Sequence, residues 1–300
     1  MPAITFPRHL AVLILLSVAC TFAGNHIAAR IAFDHGTGLL LAILCRSGGT
    51  LLALTTLVLW RRESLRLGAA VMRWQLLMGL LIAVQSFCIY SAVVRIPVGL
   101  ALLVVNLSPI LLVLLTWLLG GPPPTRRAAL IMGIILAGLV LVLDVPARLQ
   151  GGMDGAWLEG VLFSLTAAAG FARALWITEH RLSDMAGPVR SMLTMAVVFG
   201  ATSLAGASGV FPDGLSLPDA ASGWLALLCL AVLYGTAFSV LFVCMPRLDI
   251  ARNAPVMNIE PVAGMLFGWL ILDQRLGALQ IVGGLVVIGG IVLLAYRRPG

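Results

Sequence analysis

Two stretches decide how this chain folds: Arg95–Leu119, RIPVGLALLVVNLSPILLVLLTWLL, and Arg247–Ile271, RLDIARNAPVMNIEPVAGMLFGWLI. Set against each other at a shift of 152 residues, they match without a gap over twenty-five positions. Arg95 meets Arg247, Asn106 meets Asn258, Pro109 meets Pro261 and Trp117-Leu118 meets Trp269-Leu270. In so apolar a context the shared leucines are cheap, whereas Asn-x-x-Pro and the tryptophan are not. Farther out the register needs gaps, with Gly133 and Gly138 meeting Gly284 and Gly289, and Ser17 meeting Ser164. A repeat at this scale sets the architecture before any single motif is considered.

The composition explains what the repeat is made of. Hydrophobic residues make up 61% of the 300 residues and charged residues 10%, against about 25% charged in a soluble domain. A water-facing surface cannot be built from so few charges, so the solvent is lipid, where a spanning helix takes about 20 apolar residues. Ten apolar runs follow, near residues 10–32, 37–60, 74–94, 98–119, 127–144, 157–177, 190–208, 222–245, 251–272 and 277–296. The expected fold is all-α and integral to the membrane, with ten transmembrane helices. The first run continues past Cys20 to Ile31, too long for the apolar core of a signal peptide, and is read as a retained helix.

The repeat shift covers five runs. Because five is odd, the second copy enters the membrane upside down, an inverted-topology repeat of the kind that secondary transporters use. The chain therefore divides into residues 1–150 and 151–300, five helices each, forming one membrane unit. The basic residues are 19 arginines and no lysine, against 12 acids. With the N-terminus in the cytoplasm, thirteen arginines fall inside and four outside, the four being Arg30, Arg95, Arg148 and Arg275. That bias predicts an inner-membrane protein with both termini cytoplasmic. A nucleic-acid partner would need a clustered basic face with aromatics, and none is expected.

Function classes narrow in the same way. The five cysteines form no CxxC or Cys/His spacing, so neither zinc nor a disulfide framework is indicated. No HExxH, GxSxG or phosphate-cradling loop is present, so no catalytic residue, cofactor or metal is expected, and an ATP-driven pump is excluded.

Polar groups inside apolar runs are the candidate site, because they are costly in lipid. Arg46 lies nine residues into the second run, about 14 Å deep at 1.5 Å per residue. It is read either as a counter-charge for a substrate carboxylate or as a clamp onto carbonyls or Glu260. Glu260, the acid near the middle of an apolar span, is the candidate for coupling to a proton gradient or for a charge pair with Arg46. Pro109 and Pro261 break their helices, since each removes an N–H and crowds the carbonyl four residues back. Asn106 and Asn258, one turn earlier, either support that break or contact substrate. Asn25, Gln85, Phe87, Tyr90, Phe171, Tyr234 and Phe238 are the remaining candidates for a substrate cavity, with Gln85 and Tyr234 meeting the amine and carboxylate of an amino acid.

These residues carry a resemblance. Val256–Leu276 with Asn258, Pro261, Trp269 and Arg275, then the glycine-rich Gly283–Gly290 helix, resembles the end of an EamA repeat. Its first-half counterpart is Gly99–Val142, and Arg46 within Leu41–Leu54 resembles the arginine of that repeat's second helix. The resemblance is to the drug/metabolite transporter superfamily of ten-helix carriers. It implies alternating access through a central cavity, with size and layout similar to amino-acid exporters, aromatic ones included, acting as a monomer in the bilayer. Some positions depart from the pattern. Phe22-Ala23-Gly24-Asn25 stands where Trp-Gly is frequent, Gln274 stands for the usual acid, and Gly121-Pro122-Pro123-Pro124 forms the first-half turn. A membrane-embedded enzyme and a non-transporting sensor remain the alternative classes.

The topology is testable in cells. On a cysteine-free background, Asp213→Cys should react with an impermeant thiol reagent added from outside and Ser64→Cys should not. The opposite labelling pattern would overturn the assigned sides.

Overall fold

The computed structural model describes residues 6–65, 67–144, 154–211, 214–244, 247–248 and 254–295. Arg66, Arg148, Asp213, Arg252, Arg297 and Arg298, used above to assign sides, lie outside them. Among the described residues there is no strand. The described residues form these α-helices in order: α1 Arg8–Asp34, α2 Leu39–Arg61, α3 Ala69–Arg95, α4 Val98–Val105, α5 Ser108–Leu118, α6 Arg126–Val142, α7 Gly155–Arg181, α8 Gly187–Ala207, α9 Ala221–Cys244, α10 Glu260–Leu272 and α11 Ala278–Ala295. A 3-10 turn, Ala254–Ile259, leads into α10.

Where its residues are described, each apolar run falls largely on helical structure. Among the described residues seven stretches are long and apolar enough to cross a membrane, α4 and α5 together counting as one. Two shorter apolar helices, Val256–Leu272 and Ala278–Leu294, complete the C-terminal part. Outward-facing side chains such as Leu52, 72% exposed, and Leu118, 77% exposed, belong in hydrocarbon rather than water. Helix ends are set locally. Thr125 accepts from the Ala128 N–H at the start of α6, and Asp154 from the Ala156 N–H at the start of α7, each side chain satisfying one donor that the first turn leaves free.

The proline runs do more than kink. α4 ends at Val105 and α5 begins at Ser108, with Asn106 as the C-cap of α4 and Pro109 in the first turn of α5. The second-half run repeats this, a 3-10 turn giving way to α10 at Glu260-Pro261. Proline is tolerated in a first helical turn because its missing N–H would be unpaired there anyway. Both sequences therefore restart the helix rather than bend it.

Packing is organised in exchangeable pairs. α3 lies on α7 as α1 lies on α9; α2 lies on α9 as α8 lies on α3; α1 lies on α10 as α7 lies on α4 and α5. Exchanging each run with the one five later converts each of these contacts into its counterpart. The pairs α2 with α8, α4 with α10 and α6 with α11 map onto themselves.

Two of these self-mapped crossings run through glycine. A Cβ on Gly99 would come 2.4 Å from the Met265 Cγ, and one on Gly264 would come 2.6 Å from a Leu102 methyl, so each glycine of the α4–α10 crossing receives a side chain of the other helix. α6 and α11 do the same, a Cβ on Gly283 falling 2.7 Å from both the Gly138 carbonyl oxygen and the Val142 nitrogen. Small residues let helix backbones approach closely in lipid, where dispersion rather than water exclusion holds helices together. Gly283→Ala should destabilise the folded protein by about 1–3 kcal/mol, the usual range for overpacking. Gly133→Ala, with nothing within 4 Å, should be close to neutral. Thermal unfolding in detergent distinguishes the two, and equal midpoints would refute the close crossing.

Candidate functional site

One group of buried polar residues lies where α1, α2, α3, α9 and α10 meet. Asn25, Arg46, Ser47, Thr50 and Ser86 are all at most 2% exposed. Spacing on each helix puts them there. Arg46 and Thr50 are one turn apart on α2, and Ser86 and Tyr90 one turn apart on α3, so each pair shares a face. The hydroxyls of Ser47, Thr50 and Ser86 donate to carbonyls of the preceding turn, at Ile43, Arg46 and Ile82. Their donors are thereby satisfied without water.

Arg46 is the centre. Its Nη2 donates to the Ser86 hydroxyl. The guanidinium carbon lies 4.2 Å from the Tyr234 ring centroid and 4.8 Å from that of Tyr90, so a cation is held between two π faces. Tyr90 OH donates to the Asn25 Oδ1 at 3.4 Å, and the Asn25 Nδ2 donates to the Leu230 carbonyl at 2.9 Å. The chain of contacts joins α2, α3, α1 and α9. Phe22, Tyr234 and Phe238 form an adjoining aromatic trio, with centroids 4.6–5.7 Å apart.

Glu260 stands at the first position of α10. Its carboxylate faces the His26 Nε2 at 3.8 Å. The expected Arg46–Glu260 charge pair is corrected here: among the described residues no ion pair joins them. The physical reason is that two tyrosine rings and Ser86 enclose the guanidinium, while α10 packs on α1 and presents Glu260 to His26.

The candidate list separates by helical phase. Asn25, Arg46, Tyr90, Tyr234, Phe238 and Glu260 come together. Gln85 lies on the side of α3 that meets α7, beside Gly170, apart from Tyr234. Phe87 belongs to a second aromatic group with Phe163 and Phe211, at 5.8 and 5.6 Å. Phe171 is 36% exposed on the outside of the bundle. Asn106 donates to the Leu102 carbonyl at 3.0 Å, and Ser108 to the Val105 carbonyl that Pro109 frees. That amide supports the helix break. Asn258 sits in the matching 3-10 turn. His26 and Phe22 are additions that the sequence did not single out. Their signal was the i, i+4 spacing of Phe22 and His26 on α1, but the acid that faces His26 is 234 residues away.

A separate crevice of about 710 Å³ opens between α5, α6, α7 and α11. Leu112, Val113 and Ile131 line its apolar part, and Arg127, Glu179 and His180 its polar part. It does not include the Arg46 cluster.

A buried charge beside a helix that restarts in mid-membrane is a geometry known in transporters, and the comparisons bear on it. The model of the EamA-like transporter family matches twice, over residues 9–144 and 158–296. The chain belongs to the EamA-like transporter family. As such it is a multi-pass membrane protein of a transporter family. One solved crystal structure shares its fold, with 22% identity over 96% of this chain and 99% of its own and a TM-score of 0.64. No curated protein matches. The double match places Arg46 and Tyr90 in one EamA segment, and Tyr234 and Glu260 in the other.

The cation–π enclosure makes a direct prediction. Tyr234→Phe keeps the ring and should leave the unfolding midpoint in detergent near that of the parent. Tyr234→Leu should destabilise the protein by about 0.5–2 kcal/mol, the range for such contacts. Equal midpoints for the two variants would show that the ring face contributes nothing.

Proposed function

We propose that this protein is an inner-membrane secondary carrier that exports small organic metabolites, with aromatic and neutral amino acids as its substrates. In this reading ten spans form two inverted five-helix units, 1–150 and 151–300, with both termini cytoplasmic, and a monomer is the working unit. The two segments matched by the family model, the exchangeable packing pairs and the arginine bias support that layout. The observation that carries the function is the buried cluster around Arg46, built from helices of both halves and edged by aromatic rings. A cavity between repeats that opens alternately to each side is how such carriers work. No chemistry is assigned to the protein beyond binding and release.

The His26–Glu260 contact gives the returning, empty carrier a place to hold a proton. Movement coupled to a proton gradient follows from that, with Glu260 as the exchanging group.

Purified protein in liposomes should show saturable counterflow of a labelled amino acid against an unlabelled one. Covalent change of the compound would point to an enzyme instead, and binding without exchange to a sensor. An imposed pH gradient should drive accumulation by the parent, and the exchange retained by Glu260→Gln should be indifferent to the gradient. A parent equally indifferent would establish facilitated diffusion and remove the coupling role.

A further inference from the structure

The crevice between α5, α6, α7 and α11 lies apart from the Arg46 cluster. α5 packs on α7 and α6 packs on α11, and the crevice is the gap between these two pairs. Its edge is the connection from α5 to α6, where Pro122, Pro123 and Pro124 stand in a row. Consecutive prolines favour a stiff, extended backbone, which does not coil inward to fill the gap. The deeper wall is apolar, with Leu112, Val113 and Ile131. The charges stand at the end. Arg127 is the second residue of α6, and Glu179 the third from the end of α7. Ile131 lies one helical turn beyond Arg127, about 6 Å along the axis. Among the described residues neither the Arg127 nor the Glu179 side chain makes an ion pair or a hydrogen bond. The corresponding turn of the second half differs. There Gln274 accepts from the Val98 N–H, and Gln280 donates to the Val142 carbonyl. Polar side chains at that turn are tied to neighbouring helices, whereas the two charges of the first-half crevice are left for something else.

We infer that this crevice binds a membrane phospholipid with an ethanolamine headgroup, Arg127 meeting its phosphate, Glu179 its ammonium, and an acyl chain lying along Leu112, Val113 and Ile131. The order of the lining matches that of the lipid. Ends of spanning helices lie at headgroup level and the turns beyond them in hydrocarbon, and crevices between such helices that carry basic residues take lipid headgroups. Charge complementarity selects the headgroup. The lining holds one arginine and one carboxylate, while Arg126 and Arg181 are not part of it. His180, its other titratable group, is held by the Trp176 ring and carbonyl. A glycerol headgroup brings a phosphate for Arg127 but no cation for Glu179, which repels it. A choline headgroup brings both charges, yet its quaternary nitrogen has no N–H. A primary ammonium has three donors for the carboxylate, and hydrogen bonds between charged partners are the stronger ones. A lipid seated there would join the α6–α11 pair to the α5–α7 pair.

Thermal unfolding of the full-length protein in detergent tests this. The added probes are dioleoyl phosphatidylethanolamine, phosphatidylcholine and phosphatidylglycerol, and soluble glycerophosphoethanolamine. A ligand that binds only the folded state raises the unfolding midpoint. Phosphatidylethanolamine should therefore raise it by about 3 °C or more beyond the other two lipids. Glycerophosphoethanolamine at the same concentration should leave it unmoved, because it has no acyl chains. Glu179→Gln should erase the difference between the ethanolamine and choline lipids. Arg127→Gln should weaken the response to all three. Both side chains are exposed, so the lipid-free midpoints should stay near that of the parent. Where one falls, native mass spectrometry of the lipid retained on the variant reads the same preference directly. Equal shifts with the three lipids would mean that they merely coat the protein, and a larger shift with phosphatidylglycerol would mean an anion site. Either result overturns the inference, as does a soluble headgroup that acts as well as the lipid, or a pair of variants that respond as the parent does.

Discussion

Inside hydrocarbon a polar group has no water to turn to, and the structure is organised by that one constraint. It dictates helices for the backbone. It also dictates what happens where a helix must stop in mid-membrane. Pro109 frees the Val105 carbonyl, and the Ser108 hydroxyl occupies it. The Asn106 amide turns back onto Leu102 in the same way. The same rule governs Arg46. A guanidinium too deep to reach water is surrounded by ring faces and a hydroxyl, and through them it ties α2 to α3 and α9.

The glycine crossings answer the second half of the constraint. Lipid supplies no hydrophobic drive between helices, so association depends on close packing. α4 on α10 and α6 on α11 achieve it with glycines, which leave room for Met265 and Leu102 in the first pair and for the backbone of α6 in the second. These are the pairs that map onto themselves under exchange of the halves.

How much of this was legible in the sequence depended on period and on distance along the chain. The apolar runs were legible because lipid imposes length and hydropathy directly. The helix breaks were legible because Pro109 and Pro261 act on their own neighbours. Individual cavity residues were less so. On α3, Ser86 and Tyr90 lie one turn apart and share the face that meets Arg46. Gln85 and Phe87 are each about 100° from Ser86 around the helix, which turns them to α7 and to Phe211. A polar or aromatic side chain in the same segment is therefore not evidence of the same cavity. His26 was harder still, because nothing near it in the chain announces an acid. Only the packing of α1 on α10 brings Glu260 within 3.8 Å.

The two breaks then show where architecture ends and chemistry begins. Ser108 and Glu260 occupy equivalent places, each directly before its proline. Ser108 is 2% exposed and donates to the carbonyl that its own break releases. A carboxylate cannot do this, since it accepts hydrogen bonds and donates none. The second break is approached instead by a 3-10 turn, Ala254–Ile259, whose hydrogen bonds span three residues rather than four. Glu260 is left with its charge directed at another helix. Both halves carry the broken helix, but only the second carries an ionisable group at the break. The two breaks, alike in backbone, thus differ in the one side chain that can carry a charge, and that side chain faces His26 of α1.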